Sequence, residues 1–185
     1  MSDEILIKAE ERMEKALLAF RRDLSSVRAG RATPSLLDKV TVEYYGSAMP
    51  INQLANISIP ESRMIVIQPW DKSSFADIEK AILKSDLGLT PTNDGSVIRI
   101  VIPQLTEQRR QDLVKVIRKI AEEGRVAVRN IRRESNDEMK KAEKSGDVSE
   151  DESHRAHEKI QELTDRFIAE IDKTLASKER DLLEV

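Results

Sequence analysis

A heptad-like repeat of apolar residues runs through both ends of this 185-residue chain and is missing from its middle. Over residues 3–28 apolar side chains recur every seven positions, and acidic residues fill the first half, as suits a helix N-terminus. The stripe consists of Leu6, Met13, Phe20 and Val27, with Leu17 and Leu24 between them. The pattern predicts one amphipathic helix that ends near Gly30, because glycine can take the left-handed conformation found just after helices.

Two further helices are predicted after residue 105. Thr106 can cap a helix of residues 107–145, which Gly146 would end. Ser149 and Glu152 have the spacing of a capping box, and they would open a last helix of residues 150–182. The predicted buried stripe of this helix is Ile160, Leu163, Phe167, Ile171 and Leu175. No helix of this kind buries its stripe alone, so we expect an antiparallel three-helix bundle of residues 1–30 and 105–185.

The intervening block, residues 31–104, contains all six prolines and has a different periodicity. Apolar residues alternate at positions 40, 42 and 44, and a continuous apolar run occupies positions 64–67. Both patterns predict short strands. Ile57 and Ile59 predict another strand, which we expect Pro60 to end, because proline cannot donate to a strand ladder.

The same block has local signals for one helix and one hairpin. Ser74 and Asp77 resemble a capping box for a helix of about residues 74–86, and Asn93-Asp94-Gly95 predicts a hairpin. We therefore expect residues 31–104 to form a small, mostly antiparallel β/α/β domain of about six strands, inserted into the bundle to give an α+β fold. The two connections form a predicted hinge made of Ala29, Gly30, Arg31, Ala32, Pro103, Gln104, Leu105 and Thr106.

The composition excludes several kinds of site. The chain has no cysteine, which excludes disulfides, thiolate metal ligands and thiol nucleophiles, and it has only two histidines. His154 and His157 lie three residues apart in an acidic segment, so a solvated pair and a metal site are the two alternatives there. No glycine-rich phosphate loop, membrane-length apolar run or presequence is visible. We therefore expect a cytoplasmic protein without metal, membrane attachment or catalytic residues.

Charge is distributed unevenly, although the net charge is only −3. Residues 107–133 sum to +5 and residues 134–165 sum to −6. At about 100° per residue, four arginines of the basic segment fall within a sector of roughly 60°. This arginine face consists of Arg118, Arg125, Arg129 and Arg132. We expect it to point away from the aliphatic residues that face the bundle, namely Leu113, Val116, Ile117, Ile120, Ala127 and Ile131.

Two interpretations of the arginine face remain open at this point. Planar guanidinium groups suit phosphates, and the absence of aromatic neighbours favours a folded RNA over stacked single-stranded bases. The alternative is a solvated face in which Glu122 pairs with Arg118 or Arg125. The one tryptophan, Trp70, is interpreted as a core or hinge-packing residue, with a contact to a partner as the alternative.

Several short motifs occur together along the chain. In chain order they are Tyr44-Tyr45-Gly46, Ile67-Gln68-Pro69-Trp70-Asp71, Ser85-Asp86-Leu87-Gly88-Leu89, Asn93-Asp94-Gly95, Val128-Arg129-Asn130-Ile131-Arg132-Arg133 and Ser149-Glu150-Asp151-Glu152. With this order and spacing, the chain resembles the bacterial ribosome recycling factor family over essentially its whole length. The resemblance implies an L-shaped molecule, similar in outline to a tRNA, with a three-helix bundle and a small β/α/β domain.

The resemblance also implies a function after translation termination. The bundle would lie on large-subunit ribosomal RNA of the post-termination ribosome. With elongation factor G and GTP, the factor would split the subunits, and mRNA and deacylated tRNA would be released. It implies no enzymatic activity and no cofactor, and we expect a monomer.

The family's residues carry over by position. Arg132 is implied as the most critical RNA contact, with Arg129 beside it and Arg28 near the hinge. Arg118, Arg125 and Arg133 are added because of their charge and position on the same helix. Two other kinds of function remain as alternatives. The first is a helical adaptor that binds only protein partners, and the second is an enzyme that uses the histidine pair.

Overall fold

The chain divides into two compact units, and a computed structural model describes residues 1–28 and 30–184. One unit contains Met1–Ala29 and Thr106–Val185, and the other contains Gly30–Leu105. The α-helices are α1 (Ser2–Ser25), α2 (Phe75–Lys84), α3 (Glu107–Lys144) and α4 (Glu150–Leu183). The first unit is helical and the second contains all the described strands, so the predicted α+β fold is confirmed.

In the first unit, α1, α3 and α4 pack against one another as the predicted three-helix bundle. The ion pairs Lys8–Glu138 and Arg12–Glu134 show that α3 runs antiparallel to α1, because one residue number rises as the other falls. Thr106 caps α3 as predicted, since its Oγ1 accepts from the backbone N–H of Arg109 at 3.1 Å.

The turn between α3 and α4 contains the glycine and the serine cap that the sequence predicted. Gly146 has a φ of +81°, and its N–H and the N–H of Asp147 donate to carbonyls of the last turn of α3, as in a Schellman motif. The Ser149 hydroxyl accepts from the N–H of Glu152 at 3.2 Å at the start of α4. These contacts satisfy backbone groups that helix ends leave unpaired, so the two long helices reverse direction within a few residues.

The bundle core contains smaller residues than the sequence analysis assigned to it. On α3 the buried stripe includes Ala121, Gly124 and Ser135, whereas the side chain of Val116 is 45% exposed. On α1, Ile5 is buried in place of Leu6. The expectation for Val116 was wrong because small residues let helices approach closely and thereby shift the centre of the stripe.

Helix α1 ends at Ser25, about one turn before the predicted end. The Ser25 hydroxyl donates to the carbonyl of Arg22 at 2.8 Å, and the Ser26 hydroxyl donates to the carbonyl of Asp23 at 2.6 Å. Serine side chains thus satisfy the last carbonyls, and Gly30, at a φ of +71°, belongs to the following connection.

The second unit contains two antiparallel sheets. The strands are β1 (Thr41–Tyr44), β2 (Ser47–Pro50), β3 (Ala55–Glu61), β4 (Met64–Pro69), β5 (Pro91–Asn93) and β6 (Ile98–Val101). Strands β1 and β2 form a hairpin, and the other sheet has the order β3-β4-β6-β5. The predicted hairpin at Asn93-Asp94-Gly95 is confirmed, with Asn93 opposite Ile98. The buried core of this unit includes Ile65, Ile67, Ile78, Ile82, Ile98 and Ile100.

Two local predictions for this unit were wrong. Pro60 does not end its strand, because β3 is an edge strand where a missing N–H is tolerated, and the register shifts between Ser58 and Glu61. Ser74 does not cap α2 with its side chain. Its hydroxyl instead donates to the carbonyl of Asp71 at 2.6 Å, while the Asp71 carboxylate caps the preceding 3-10 turn.

Candidate functional site

The arginine face lies along the edge of α3 that borders α4. At about 100° per residue, its four arginines centre roughly 90° away from the centre of the buried stripe. The arginines were expected to lie roughly opposite the side of α3 that faces the bundle, and they lie instead at the edge of the buried stripe. The physical reason is the same shift of the buried stripe toward Ala121 and Gly124.

Two arginines, seven residues apart on α3, reach carboxylates seven residues apart on α4. Arg118 Nε lies 2.7 Å from Glu179 Oε1, and Arg125 Nε lies 2.8 Å from Asp172 Oδ1. Because α3 and α4 are antiparallel, matched heptad spacing brings opposite charges together at these two levels. These pairs therefore join the two helices.

Arg125 is more enclosed than Arg118 and Arg129, with 20% of its side chain exposed. Its Nη2 lies 2.7 Å from Asp172 Oδ1 and its Nη1 lies 3.0 Å from Glu122 Oε2. Burial lowers the pKa of Arg125, but the hydrogen bonds to Asp172 and Glu122 outweigh it and hold the pKa above its ordinary value. The guanidinium is thus permanently charged and already engaged by two carboxylates.

Arg118 is more open, with 64% of its side chain exposed against 24% for Glu179. The hydrogen bond to Glu179 raises the pKa of the Arg118 guanidinium. A phosphate can approach Arg118 from solvent, where it competes with Glu179 for the guanidinium. Exposed pairs of this kind contribute little stability, about 0–1 kcal/mol, so they form and break easily.

The C-terminal end of the arginine face carries weaker intramolecular contacts. Arg129 Nη1 lies 3.5 Å from Glu122 Oε1, and 41% of its side chain is exposed. Arg132 forms no ion pair among residues 1–28 and 30–184 and donates instead to the amide oxygen of Gln161 at 3.4 Å. Arg133 is exposed and meets no acidic partner within the described chain. This end therefore keeps most of its positive charge uncompensated.

These ion pairs agree in part with the solvated-face interpretation, and the phosphate-binding interpretation stays a prediction. Of the two partners that the solvated-face alternative offered for Glu122, the structure has Arg125, and Glu122 also touches Arg129. The sequence analysis missed Asp172 and Glu179. Their seven-residue spacing, matched to that of Arg118 and Arg125, was the signal that could have found them.

The two predicted hinge segments converge within the second unit. The N–H of Ala32 donates to the carbonyl of Ser62 at 2.7 Å, and the N–H of Ile102 donates to the carbonyl of Arg63 at 2.8 Å. A Cβ on Gly30 would lie 2.9 Å from Leu105 Cγ. Both connections are therefore held on the turn between β3 and β4.

The other positions predicted for the hinge and for the RNA contact lie in or beside the two connections. Arg31, Pro103 and Gln104 lie in irregular backbone between the fixed points, and Thr106 is held as the cap of α3. Ala29 lies outside the described residues. Arg28, the predicted contact near the hinge, is exposed.

Two aromatic residues of the second unit, Tyr45 and Trp70, are unexpectedly exposed to solvent. Trp70 is 69% exposed, so the expectation that it packs in the core was wrong. Tyr45 is 84% exposed and has a φ of +49°, which a bulky residue rarely adopts. The Tyr44 hydroxyl donates to Asp71 Oδ2 at 2.8 Å, and this bond raises the pKa of Tyr44 to about 12. The sequence predicted the turn at Tyr45-Gly46, but it did not predict that the Tyr45 side chain is exposed.

The histidine pair has separate partners. His154 Nε2 lies 3.3 Å from Glu158 Oε1, and His157 Nδ1 lies 2.7 Å from Asn136 Oδ1 on α3. Within the described residues, no group of three or more histidine or acidic side chains could hold a metal ion. No helix in the described part of the chain is long and apolar enough to cross a membrane.

Comparison with known proteins agrees with the motifs. The family model described as ribosome recycling factor matches residues 20–183. The ribosome-recycling factors of Bacillus velezensis and Bacillus subtilis are 60% and 59% identical over 185 residues, covering 100% of both chains. A solution structure of the ribosome recycling factor is 44% identical, with a TM-score of 0.79, over 100% of this chain and 98% of that one.

A second structural neighbour is part of a larger assembly. It contains models for the T. thermophilus ribosome recycling factor and the E. coli elongation factor G bound to the E. coli post-termination complex. The recycling factor chain is 47% identical, with a TM-score of 0.65, and the match covers 100% of both chains. On sequence and fold together, this chain belongs to the ribosome recycling factor family.

Proposed function

We propose that this chain recycles ribosomes after translation termination. It binds the post-termination ribosome and, with elongation factor G and GTP, promotes subunit splitting and release of mRNA and deacylated tRNA. The observation that carries the proposal is the full-length likeness to a recycling factor bound with elongation factor G on the post-termination complex. The factor acts as a cytoplasmic monomer and hydrolyses no nucleotide itself.

The bundle is the proposed RNA-binding part, and the C-terminal end of the arginine face is its strongest candidate. Arg132 has only an amide partner and Arg133 has no acidic partner in the described chain, so phosphates meet little competition there. Arg129 extends this surface, and the exposed Arg28 is a separate candidate near the hinge. Arg118 and Arg125 are weaker candidates, because phosphate must compete with Glu179, Asp172 and Glu122. Each phosphate contact adds to the salt dependence of binding.

The two connections are the proposed hinge of the factor. Ala32 and Ile102 are held by backbone hydrogen bonds to Ser62 and Arg63, and these bonds support a hinge at the residues that lie between them and the bundle. A hinge of this kind needs only a few residues to absorb changes in φ and ψ. Elongation factor G would then move the second unit while the bundle stays on RNA.

A subunit-splitting assay with purified ribosomes tests the proposal. We expect splitting of post-termination ribosomes only when the chain, elongation factor G and GTP are all present. Equal splitting by elongation factor G and GTP without the chain would overturn the proposal. Ribosome binding that is insensitive to salt would favour the protein-only adaptor instead, because counterion release would then contribute nothing.

A further inference from the structure

Two carboxylates interrupt the arginine face at its middle. Glu122 and Asp172 both hold the Arg125 guanidinium, and both are more exposed than the group they hold, with 57% and 52% of their side chains exposed against 20%. An anion that approaches Arg125 from solvent therefore meets negative charge first. In the pair Arg118–Glu179 the arginine is the more exposed partner, so an approaching anion meets positive charge first.

The two carboxylates also occupy the donors that a phosphate would need. Asp172 accepts from Nε and Nη2 of Arg125, and Glu122 accepts from Nη1. A guanidinium has five N–H donors, and two of its edges can hold a phosphate through paired N–H groups. In Arg125 the Nε–Nη2 edge faces Asp172, so a phosphate that binds this edge must displace Asp172.

We propose that Glu122 and Asp172 determine where RNA binds, by excluding phosphate from Arg125 and confining it to Arg129, Arg132 and Arg133. This inference rests on the proposed function, since it concerns the same RNA contact. Repulsive groups placed beside an attractive surface are a general means of specificity. A carboxylate about 6 Å from a phosphate in water weakens binding by about threefold, which is enough to select one end of a helix.

Charge-neutral variants of full-length protein test this inference. Purified large ribosomal subunits serve as the probe, and the dissociation constant is measured between about 50 and about 200 mM salt. We expect Asp172→Asn and Glu122→Gln each to bind about threefold more tightly, and the double variant about tenfold more tightly, with a steeper salt slope. Adding Arg125→Ala to the double variant should reduce this gain, because the uncovered guanidinium then no longer attracts phosphate.

Glu170→Gln is the matched control. Glu170 lies on the same helix as Asp172, and the substitution changes the net charge equally, but its carboxylate holds Arg21 of α1 at 3.3 Å. We expect less than about a twofold change for this variant, because its charge lies on another edge of the bundle. Asp172→Glu, which keeps the charge, should bind like the wild type.

Three results would overturn the inference. An equal gain from Glu170→Gln would show a net-charge effect only. Unchanged or weaker binding by Asp172→Asn and Glu122→Gln, with circular dichroism like that of the wild type, would show that these carboxylates only hold α3 and α4 together. Failure of the wild type itself to bind large subunits would overturn the proposed function as well, and this outcome is therefore distinguishable from the other two.

Discussion

Replacing Gly124 with alanine should stabilise the bundle. Gly124 lies in the middle of α3, is buried, and faces both other helices of the unit. A Cβ built there would lie 3.4 Å from Ile171 Cδ1 and 3.5 Å from Phe20 Cβ, which is ordinary van der Waals contact. The space for one methyl group therefore already exists between the three helices.

The expected gain follows from two terms. Glycine is about 1 kcal/mol less favourable than alanine inside a helix, and burying one methyl group contributes about 0.8 kcal/mol. Some of this is lost because a contact at 3.4 Å leaves little freedom to Ile171. We expect the free energy of unfolding of the bundle to rise by about 1–1.5 kcal/mol.

Denaturant unfolding followed by far-ultraviolet circular dichroism measures the change, because the signal comes mainly from α1, α3 and α4. Gly124→Val is the contrasting variant. Its γ-carbons would overlap Ile171 and Phe20, so we expect a loss of about 1–3 kcal/mol. If alanine lowered the midpoint as valine does, the helices would be closer together than the structure describes, and the reasoning would be refuted.

Three further substitutions test local features of the molecule. Gly30→Ala should destabilise the second unit by about 1–3 kcal/mol in denaturant unfolding. The reason is that a Cβ at a φ of +71° would lie only 2.9 Å from Leu105 Cγ. An unchanged unfolding midpoint would contradict that contact. Thr106→Ala should lower the free energy of unfolding of the bundle by about 1 kcal/mol in the same assay, because it removes the side-chain cap of α3. An unchanged midpoint would contradict the capping role. Asp71→Ala should return the pKa of Tyr44 from about 12 toward 10.0 in a tyrosinate absorbance titration. Since folding raises this pKa, the contribution of Tyr44 to stability is complete below pH 10 and is lost as the pH rises through about 12.

The sequence predicted the long elements of this fold better than its short ones. Helices α3 and α4 began and ended close to their predicted positions because Thr106, Gly146 and Ser149 act through local hydrogen bonds that sequence spacing reveals. The prediction that Pro60 ends its strand was wrong because a proline is tolerated inside an edge strand, and β3 is an edge strand. Strand order is a property of the whole sheet and cannot be read from one segment.

The candidate site was predicted in part. The arginines were found from their charge and periodicity, but their orientation was wrong because the buried stripe of α3 runs through small residues such as Ala121 and Gly124. Asp172 was missed because its contact with Arg125 joins residues 47 positions apart. Such contacts depend on the register of two packed helices, which periodicity constrains but does not determine.

The salt dependence of binding to purified large ribosomal subunits tests the central claim most directly, with wild type, Arg132→Ala and Arg166→Ala compared. Arg166 pairs with Glu10 of α1 and lies on another edge of the bundle. The Arg166→Ala variant therefore loses one positive charge, as Arg132→Ala does, but at a place outside the arginine face. We predict that Arg132→Ala weakens binding and reduces the slope of log affinity against log salt by about 1, while Arg166→Ala binds like the wild type. Equal affinities and equal slopes for all three proteins would contradict the claim that this face binds ribosomal RNA.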